Sequence, residues 1–275
     1  YAFNEWIFFN SEIEYEHGGV DATDGSQPAN NSRFSGEVEV EQAWIDFKLI
    51  EQFNWRSLGV DLVPVGRINL YHEPTAFYST ERSEIYTNLI PSTWMENGTS
   101  VYGNIAEGLK YQFMVSQGLV EGPAGSGIGI TGLAGLRSAR PELRDDRSSS
   151  LAYTARLEFA PDFIPGLNGS ASVHFSPDIQ NPGSSVPGPS GAILSDLECL
   201  YRVPGTGWEF RAEGVYIDIQ GSQHLLANTN GTANDGVGQN MWGASGEVSY
   251  HFTPWDDGRL KQAELVPFFR YSKID

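Results

Sequence analysis

The residue types that most often carry catalysis or bind a metal ion are sparse in this sequence. No Gly-x-Ser-x-Gly element or other Ser/His/acid arrangement can be recognised, and the single cysteine, Cys199, excludes both a disulfide framework and a cysteine-based zinc site. The histidines lack the spacing of metal ligands. They stand at His17, His72, His174, His224 and His251. We therefore expect no enzymatic activity, no catalytic residue, no bound metal and no cofactor.

The overall composition excludes several classes of protein. The 275 residues carry a formal net charge of −18, which speaks against nucleic acid as a partner because phosphates repel an acidic surface. The 31 glycines and 15 prolines argue against a helical protein, since both residues interrupt helices. No run of 18 apolar residues occurs, so we expect no transmembrane helix.

Charged and apolar residues alternate along many stretches, which is the pattern of β-strands. In residues 151–160, Arg156 and Glu158 point to one side of the predicted strand, and the apolar residues beside them point to the other. The clearest strands are predicted over residues 109–119, 151–160, 167–176, 193–203, 208–219 and 240–252, and weaker ones over residues 3–16, 37–50, 55–65, 99–106 and 264–274. Between Val40 and Ala43 the apolar phase slips, which predicts a β-bulge.

The connections between these strands alternate in length. Short ones are predicted at residues 51–54, 107–108, 161–166, 204–207 and 253–263. Long ones are predicted at residues 17–36, 66–98, 120–150, 177–192 and 220–239. Short and long connections therefore lie at opposite ends of an antiparallel up-and-down sheet. This asymmetry is typical of transmembrane β-barrels, which have short periplasmic turns and long outer loops.

A soluble barrel or sandwich is the alternative interpretation of the same strands. Three features favour a membrane barrel: strands of about 9–11 residues, about eleven strands, which would enclose too wide a space for a solid core, and aromatic residues near the strand ends. We expect eight apolar side chains to face lipid or a neighbouring subunit. They are Leu157, Phe159, Val173, Phe175, Leu197, Tyr201, Phe210 and Phe252. Because bacterial single-chain barrels have an even number of strands, we also expect C-terminal strands to be missing from this sequence.

Four segments carry a resemblance to a known family. They are residues 36–47 (GEVEVEQAWIDF), 62–84 (LVPVGRINLYHEPTAFYSTERSE), 90–103 (IPSTWMENGTSVYG) and 265–271 (LVPFFRY). These segments resemble outer-membrane porins of the superfamily that includes the phosphate-selective porins of Gram-negative bacteria. The resemblance implies that residues 1–275 form part of a single transmembrane β-barrel of about sixteen strands, often trimeric, with a long loop folded into its lumen. It also implies an outer-membrane location, in contact with lipid and lipopolysaccharide.

The polar faces of the strands depart from what a phosphate-selective pore needs, because acids outnumber bases on them by about two to one. We expect a water-filled channel for passive diffusion of small polar solutes or ions, with a mildly cation-favouring wall. The residues predicted to line it are Glu12, Glu14, Asp61, Lys110, Arg156, Glu158, His174, Glu198, Arg202, Glu209 and Arg211. The alternative is a non-conducting barrel that serves as a scaffold or as a partner in a surface complex.

The long connection over residues 67–94 is the best candidate for a constriction. It is rich in aromatic residues, which a solvated loop does not need, so we expect it to pack against the inner wall of the barrel or, alternatively, as a lid or a trimer contact. Its charged residues are Arg67, His72, Glu73, Glu81, Arg82 and Glu84. A second connection holds Arg137, Arg140, Arg144 and Arg147. These arginines either contact lipopolysaccharide phosphates, line the mouth, or form a solvated, self-paired stretch.

Overall fold

The computed structural model describes residues 1–16, 37–121, 129–130, 135–141, 150–179, 189–222, 225, 238–255 and 263–275. These residues form one antiparallel sheet of eleven strands, in which every strand pairs with its neighbours in sequence. The strands are β1 (Ile7–Glu16), β2 (Glu37–Ile50), β3 (Phe53–Leu62), β4 (Met95–Ala106), β5 (Leu109–Gln117), β6 (Leu151–Phe159), β7 (Leu167–Ser176), β8 (Gly191–Arg202), β9 (Trp208–Gln220), β10 (Asn240–Tyr250) and β11 (Phe268–Ile274). No helix in the described part of the chain is long and apolar enough to cross a bilayer.

The eleven predicted strands and their up-and-down order are confirmed, with shifts at some ends. The first strand begins at Ile7 because the Asn4 side chain accepts hydrogen bonds from the Trp6 and Ile7 N–H groups and forms a turn. The last begins at Phe268, directly after Pro267, which has no N–H to donate to a ladder. Among the described residues β1 and β11 each pair on one side alone, so the sheet is open there.

The predicted alternation of short and long connections is confirmed from β1 to β10. Two residues join β2 to β3 and β4 to β5, whereas residues 63–94 join β3 to β4 and residues 118–150 join β5 to β6. The connection between β10 and β11 is longer than predicted, at residues 251–267, although an isolated bridge between Phe252 and Leu265 continues the ladder into it. The five connections that were predicted to be long therefore lie at one end of the sheet, which we call the long-loop end. The short ones lie at the other, the short-turn end, together with residues 251–267.

The predicted β-bulge lies at Glu41. Glu12 pairs with Gln42 and Ile13 with Val40, so Glu41 is the extra residue on β2. The bulge turns two successive side chains, Glu41 and Gln42, toward the same face, where Gln42 donates a hydrogen bond to Glu12 and Glu41 contacts His72. Without the bulge one of the two would point to the opposite side.

The two faces of the sheet differ sharply. One, the covered face, carries the segment 63–94 and a buried apolar core that includes Val63, Ile85, Trp94, Leu194 and Ile217. The other, the exposed face, displays large apolar side chains on successive strands. Those among the eight predicted to contact lipid are Leu157, Phe159, Val173, Phe175, Leu197, Phe210 and Phe252, while Tyr201 is partly buried. The exposed face is therefore apolar as predicted, whereas the covered face carries polar residues and also a buried apolar core. Contact with lipid stays a prediction.

Candidate functional site

We call residues 67–94 the inner segment. Its two ends lie close together on the covered face, where Asn69 joins them. A short helix (Arg67–Leu70) starts after Gly66, which has a φ of 72°, and a β-carbon there would meet the Tyr86 ring at 2.7 Å. The buried Asn69 then joins the two ends. Its Nδ2 donates to the Val63 and Val65 carbonyls at 2.8 and 3.1 Å, and its Oδ1 accepts from the Trp94 N–H at 2.6 Å. The segment therefore leaves the sheet and returns to it as a closed loop.

The middle of the inner segment is fixed to β8. The Tyr86 hydroxyl, within a single π-helical turn (Ile85–Leu89), donates to Glu198 Oε1 at 2.9 Å, and the Arg67 N–H donates to the same oxygen. Burial, reinforced by the nearby charges of Glu213, Glu198 and others, raises the pKa of the Tyr86 phenol well above its usual value. Tyr86 is therefore a neutral hydrogen-bond donor to Glu198 at physiological pH.

A second anchor lies nearer the short-turn end, on β9 and its neighbours. The Tyr78 hydroxyl donates to Glu209 Oε1 at 2.8 Å, lies 2.9 Å from His251 Nε2, and has the Arg211 guanidinium over its ring at 4.4 Å. Burial and the bond to Glu209 raise the pKa of Tyr78 to about 12. From β11, Arg270 donates to the Ser79 hydroxyl at 2.7 Å.

A third anchor joins the inner segment to the opposite side of the sheet. His72 Nε2 lies 3.1 Å from Glu41 Oε2 on β2, and Arg82 donates to the His72 carbonyl at 3.0 Å. The hydrogen bond and charge of Glu41 raise the pKa of His72 above its ordinary value, against an opposing effect of burial. The segment thus spans the covered face from β2 to β11.

Two cavities flank the inner segment. The one toward the long-loop end, which we call the acidic cavity, has a volume of about 670 Å³ and a small excess of carboxylates over bases in its lining. Its carboxylates are Glu12, Glu14, Glu39, Glu41 and Glu73, and its bases are His72, Arg82, Arg137 and Arg140. The one toward the short-turn end has a volume of about 800 Å³ and a balanced charge. Its charged residues are Lys48, Arg56, Lys110, Arg156, Glu5, Glu51, Asp61 and Glu158.

The residues predicted to line a lumen all lie on the covered face or at its short-turn edge, in different surroundings. Six of them line the two large cavities. These are Glu12, Glu14, Asp61, Lys110, Arg156 and Glu158. Glu198, Glu209 and Arg211 instead hold the inner segment, and Arg202 pairs with Glu264 at 3.5 Å. His174 is buried against Trp94, with ring centroids 4.6 Å apart, and lies in the lining of neither large cavity.

The charged residues of the inner segment divide in the same way. Glu73 and Arg82 line the acidic cavity, whereas Glu81 and Glu84 are exposed and belong to the lining of neither large cavity. The Arg67 guanidinium lies over the Tyr71 ring at 5.0 Å. Of the second candidate connection, Arg137 and Arg140 line the acidic cavity. Arg144 and Arg147 lie outside the described residues, as do His17 and His224.

Residues outside the predicted lumen lining complete the site. Glu41 and Glu39 become wall residues of the acidic cavity because the bulge brings both to the covered face. Alternation placed both on the polar faces of the strands, although they were not among the residues predicted to line the lumen. Tyr102, which donates to both oxygens of Asp46 at 2.8 and 2.7 Å, was not recognisable, because its partner lies two strands away.

Comparison with known proteins identifies a distant relative of this chain. No protein-family model matches the chain. A protein of Aquifex aeolicus (strain VF5), described only as uncharacterized, is 29% identical over 235 residues, which cover 86% of this chain and 49% of that protein. The chain therefore spans about half the length of this relative, and the activity of the whole protein is a matter for proposal.

Proposed function

We propose that the chain is part of an outer-membrane β-barrel that acts as a porin. The observation that carries this proposal is the exposed face, on which large apolar side chains recur from β1 to β11. Soluble monomers rarely expose a contiguous apolar patch larger than a few hundred Å². Hydrocarbon is the medium that would make such a face favourable, while the polar groups of the other face remain inside.

Strand geometry supports the same proposal. Most strands have between 9 and 14 residues, and a tilted strand of about 9–11 residues crosses a bilayer. An open sheet edge is not tolerated in hydrocarbon, because its N–H and C=O groups would lack partners. We propose that further strands, for a total of about sixteen, pair with β1 and β11 and close the barrel. The resemblance to porins adds the proposal of a homotrimer.

The acidic cavity supports the proposed cation preference. Five carboxylates face it against three arginines and His72, and four of the five stand on β1 and β2, opposite bases from the inner segment and residues 137–140. Charges in such partly desolvated surroundings act strongly on passing ions. In this proposal the inner segment narrows the pore, and small polar solutes or cations pass between it and the β1–β2 wall.

The first experiment is conductance of the purified protein in planar bilayers, with reversal potentials measured across a KCl gradient. Replacing Glu12 and Glu14 by lysine should shift the reversal potential toward anions, because both line the acidic cavity. The paired change of Glu81 and Glu84 to lysine is the matched control, since these exposed carboxylates belong to neither cavity lining, and should shift it less. An unchanged potential in the Glu12/Glu14 variant would contradict the proposed wall selectivity.

The second candidate is a non-conducting barrel, a scaffold or partner in a surface complex. The buried core on the covered face favours it, because Ile85, Leu89, Ile90 and Trp94 of the inner segment pack there with residues from the other long connections. A plugged interior would bury such a core. Absence of conductance from correctly folded protein would support this candidate over a pore.

A further inference from the structure

Three carboxylates meet on the covered face beneath the inner segment. Glu198 and Glu213 are direct partners across β8 and β9, and Asp196 precedes Glu198 by two residues on the same face. One oxygen of each residue lies within 4.8 Å of an oxygen of the other two. Like charges at this distance repel strongly away from bulk water, so this carboxylate cluster needs compensation.

Both carboxylate oxygens of Glu198 accept hydrogen bonds, whereas Asp196 and Glu213 each have an oxygen without a well-placed donor in the described part of the chain. Glu198 Oε1 accepts from Tyr86 and from the Arg67 N–H, and Glu198 Oε2 accepts from Arg156 at 3.0 Å and Ser170 at 2.5 Å. Arg156 thus brings one positive charge to three carboxylates.

Asp196 is 4% exposed, and its Oδ2 accepts from Ser172 at 3.0 Å. The Gly66 N–H lies near Asp196 and the Tyr86 hydroxyl lies near Glu213. Even so, one buried oxygen of each carboxylate, Asp196 Oδ1 and Glu213 Oε1, has no well-placed hydrogen-bond donor among the described residues. Buried carboxylate oxygens without a donor are costly, and that cost is removed either by a proton or by a bound cation.

From these contacts we propose that Asp196 and Glu213 bind a divalent, oxygen-preferring cation beside Glu198, with Ca²⁺ as the best fit. Ca²⁺ holds carboxylate oxygens at about 2.3–2.6 Å, so two of its ligands can stand up to about 5 Å apart, whereas Mg²⁺ allows about 4 Å. A cavity of about 60 Å³ borders Glu198 and Glu213 and leaves room for a water ligand. The set contains no nitrogen or sulfur ligand, so zinc and copper are disfavoured.

The bound cation would hold the inner segment in place. Glu198 joins the cluster to Tyr86 and to the start of the short helix at Arg67. When the cation neutralises the repulsion around Glu198, the strand positions and the segment that depends on them are stabilised together. This inference does not rest on conduction, because it holds for an open pore and for a closed barrel alike.

The test uses the full-length protein in detergent, stripped with EDTA. We expect Ca²⁺ to bind with measurable heat, to raise the urea midpoint of unfolding, and to slow hydrogen exchange in the inner segment, with Mg²⁺ weaker. Asp196→Asn and Glu213→Gln should each lower Ca²⁺ affinity about tenfold or more, because ligand charge sets affinity in such sites. In EDTA both variants should be at least as stable as the wild type, since each relieves repulsion.

Glu96→Gln is the matched control, because Glu96 is equally buried on the covered face but stands on β4, outside the cluster. It should keep the full Ca²⁺ effect. The proposal is overturned if Ca²⁺ leaves the wild-type midpoint and hydrogen exchange unchanged, which would mean that protons neutralise the cluster. Retention of the full effect in both Asp196→Asn and Glu213→Gln would overturn it equally. The wild-type measurement can overturn the proposal by itself, so the test remains valid even if a variant fails to fold.

Discussion

Leu197 offers the sharpest test of whether the exposed face contacts hydrocarbon. It lies on β8 between the small residues Ala171 and Gly214 of the neighbouring strands, and 67% of its surface is exposed. We consider its replacement by arginine. In water this change touches no packed neighbour and should alter the free energy of unfolding by no more than about 0.5 kcal/mol.

The depth of Leu197 sets the expected cost in a bilayer. It stands five residues before Arg202, where β8 ends at a short turn. With a rise of about 3.3 Å per residue and a tilt of about 40°, this separation corresponds to about 13 Å along the barrel axis. The apolar band of such barrels is about 25 Å tall, so Leu197 lies near its middle, where an arginine costs about 2–4 kcal/mol.

Phe163→Arg provides the matched control. Phe163 is also large, apolar and exposed (78%), but it lies in the short connection between β6 and β7, at the edge of the proposed band, where the expected cost is about 0–1 kcal/mol. Reversible unfolding in lipid vesicles, followed by tryptophan fluorescence in denaturant, measures both variants. Equal costs for the two substitutions, each near zero, would refute the membrane orientation that we propose.

Two further predictions concern the covered face and the strands. Because Glu41 raises the pKa of His72, their contact contributes stability that is complete below pH about 6.5 and is lost as pH rises through the folded-state pKa. In unfolding titrations between pH 6 and 9, the wild type should therefore lose more free energy of unfolding than His72→Gln. Parallel curves for the two proteins would exclude the contact. Gly59→Ala should lower the free energy of unfolding by about 1–3 kcal/mol, because the added β-carbon would lie 2.1 Å from a backbone oxygen of β2. Gly214→Ala is the control and should be nearly neutral, because its β-carbon would meet nothing within 4 Å. Equal midpoints of denaturant unfolding for the two variants would show that β2 and β3 shift apart at no cost.

The strand order could be predicted from the sequence because each pairing is local. Alternation with a period of two marks each strand, and consecutive strands pair in order, so no long-range information is needed. The bulge at Glu41 could also be predicted, because an extra residue moves the apolar side chains that follow it to the other position of the alternating pattern. Closure of the sheet depends on partners for β1 and β11, which these strands cannot specify.

The site could not be predicted to the same extent, because it is made by contacts between distant parts of the chain. The aromatic content of residues 67–94 indicated packing, but it did not indicate that Tyr86 would bind Glu198 or that Tyr78 would bind Glu209. Alternation placed Asp196, Glu198 and Glu213 on a polar face. It could not show that they meet, since the register between β8 and β9 determines their distance.

The long sequence separation of these contacts also determines the order in which parts of the chain fold. Tyr86 and Glu198 are 112 positions apart, and Tyr78 and Glu209 are 131 positions apart, whereas the partners in each two-residue hairpin are nearly adjacent. Contacts of long sequence separation form slowly, because a large loop must close before any contact is gained. The hairpins can therefore assemble while the interior is still unoccupied, and residues 67–94 take their place only after β8 and β9 exist. We infer that the inner segment is the last part of the molecule to reach its final position.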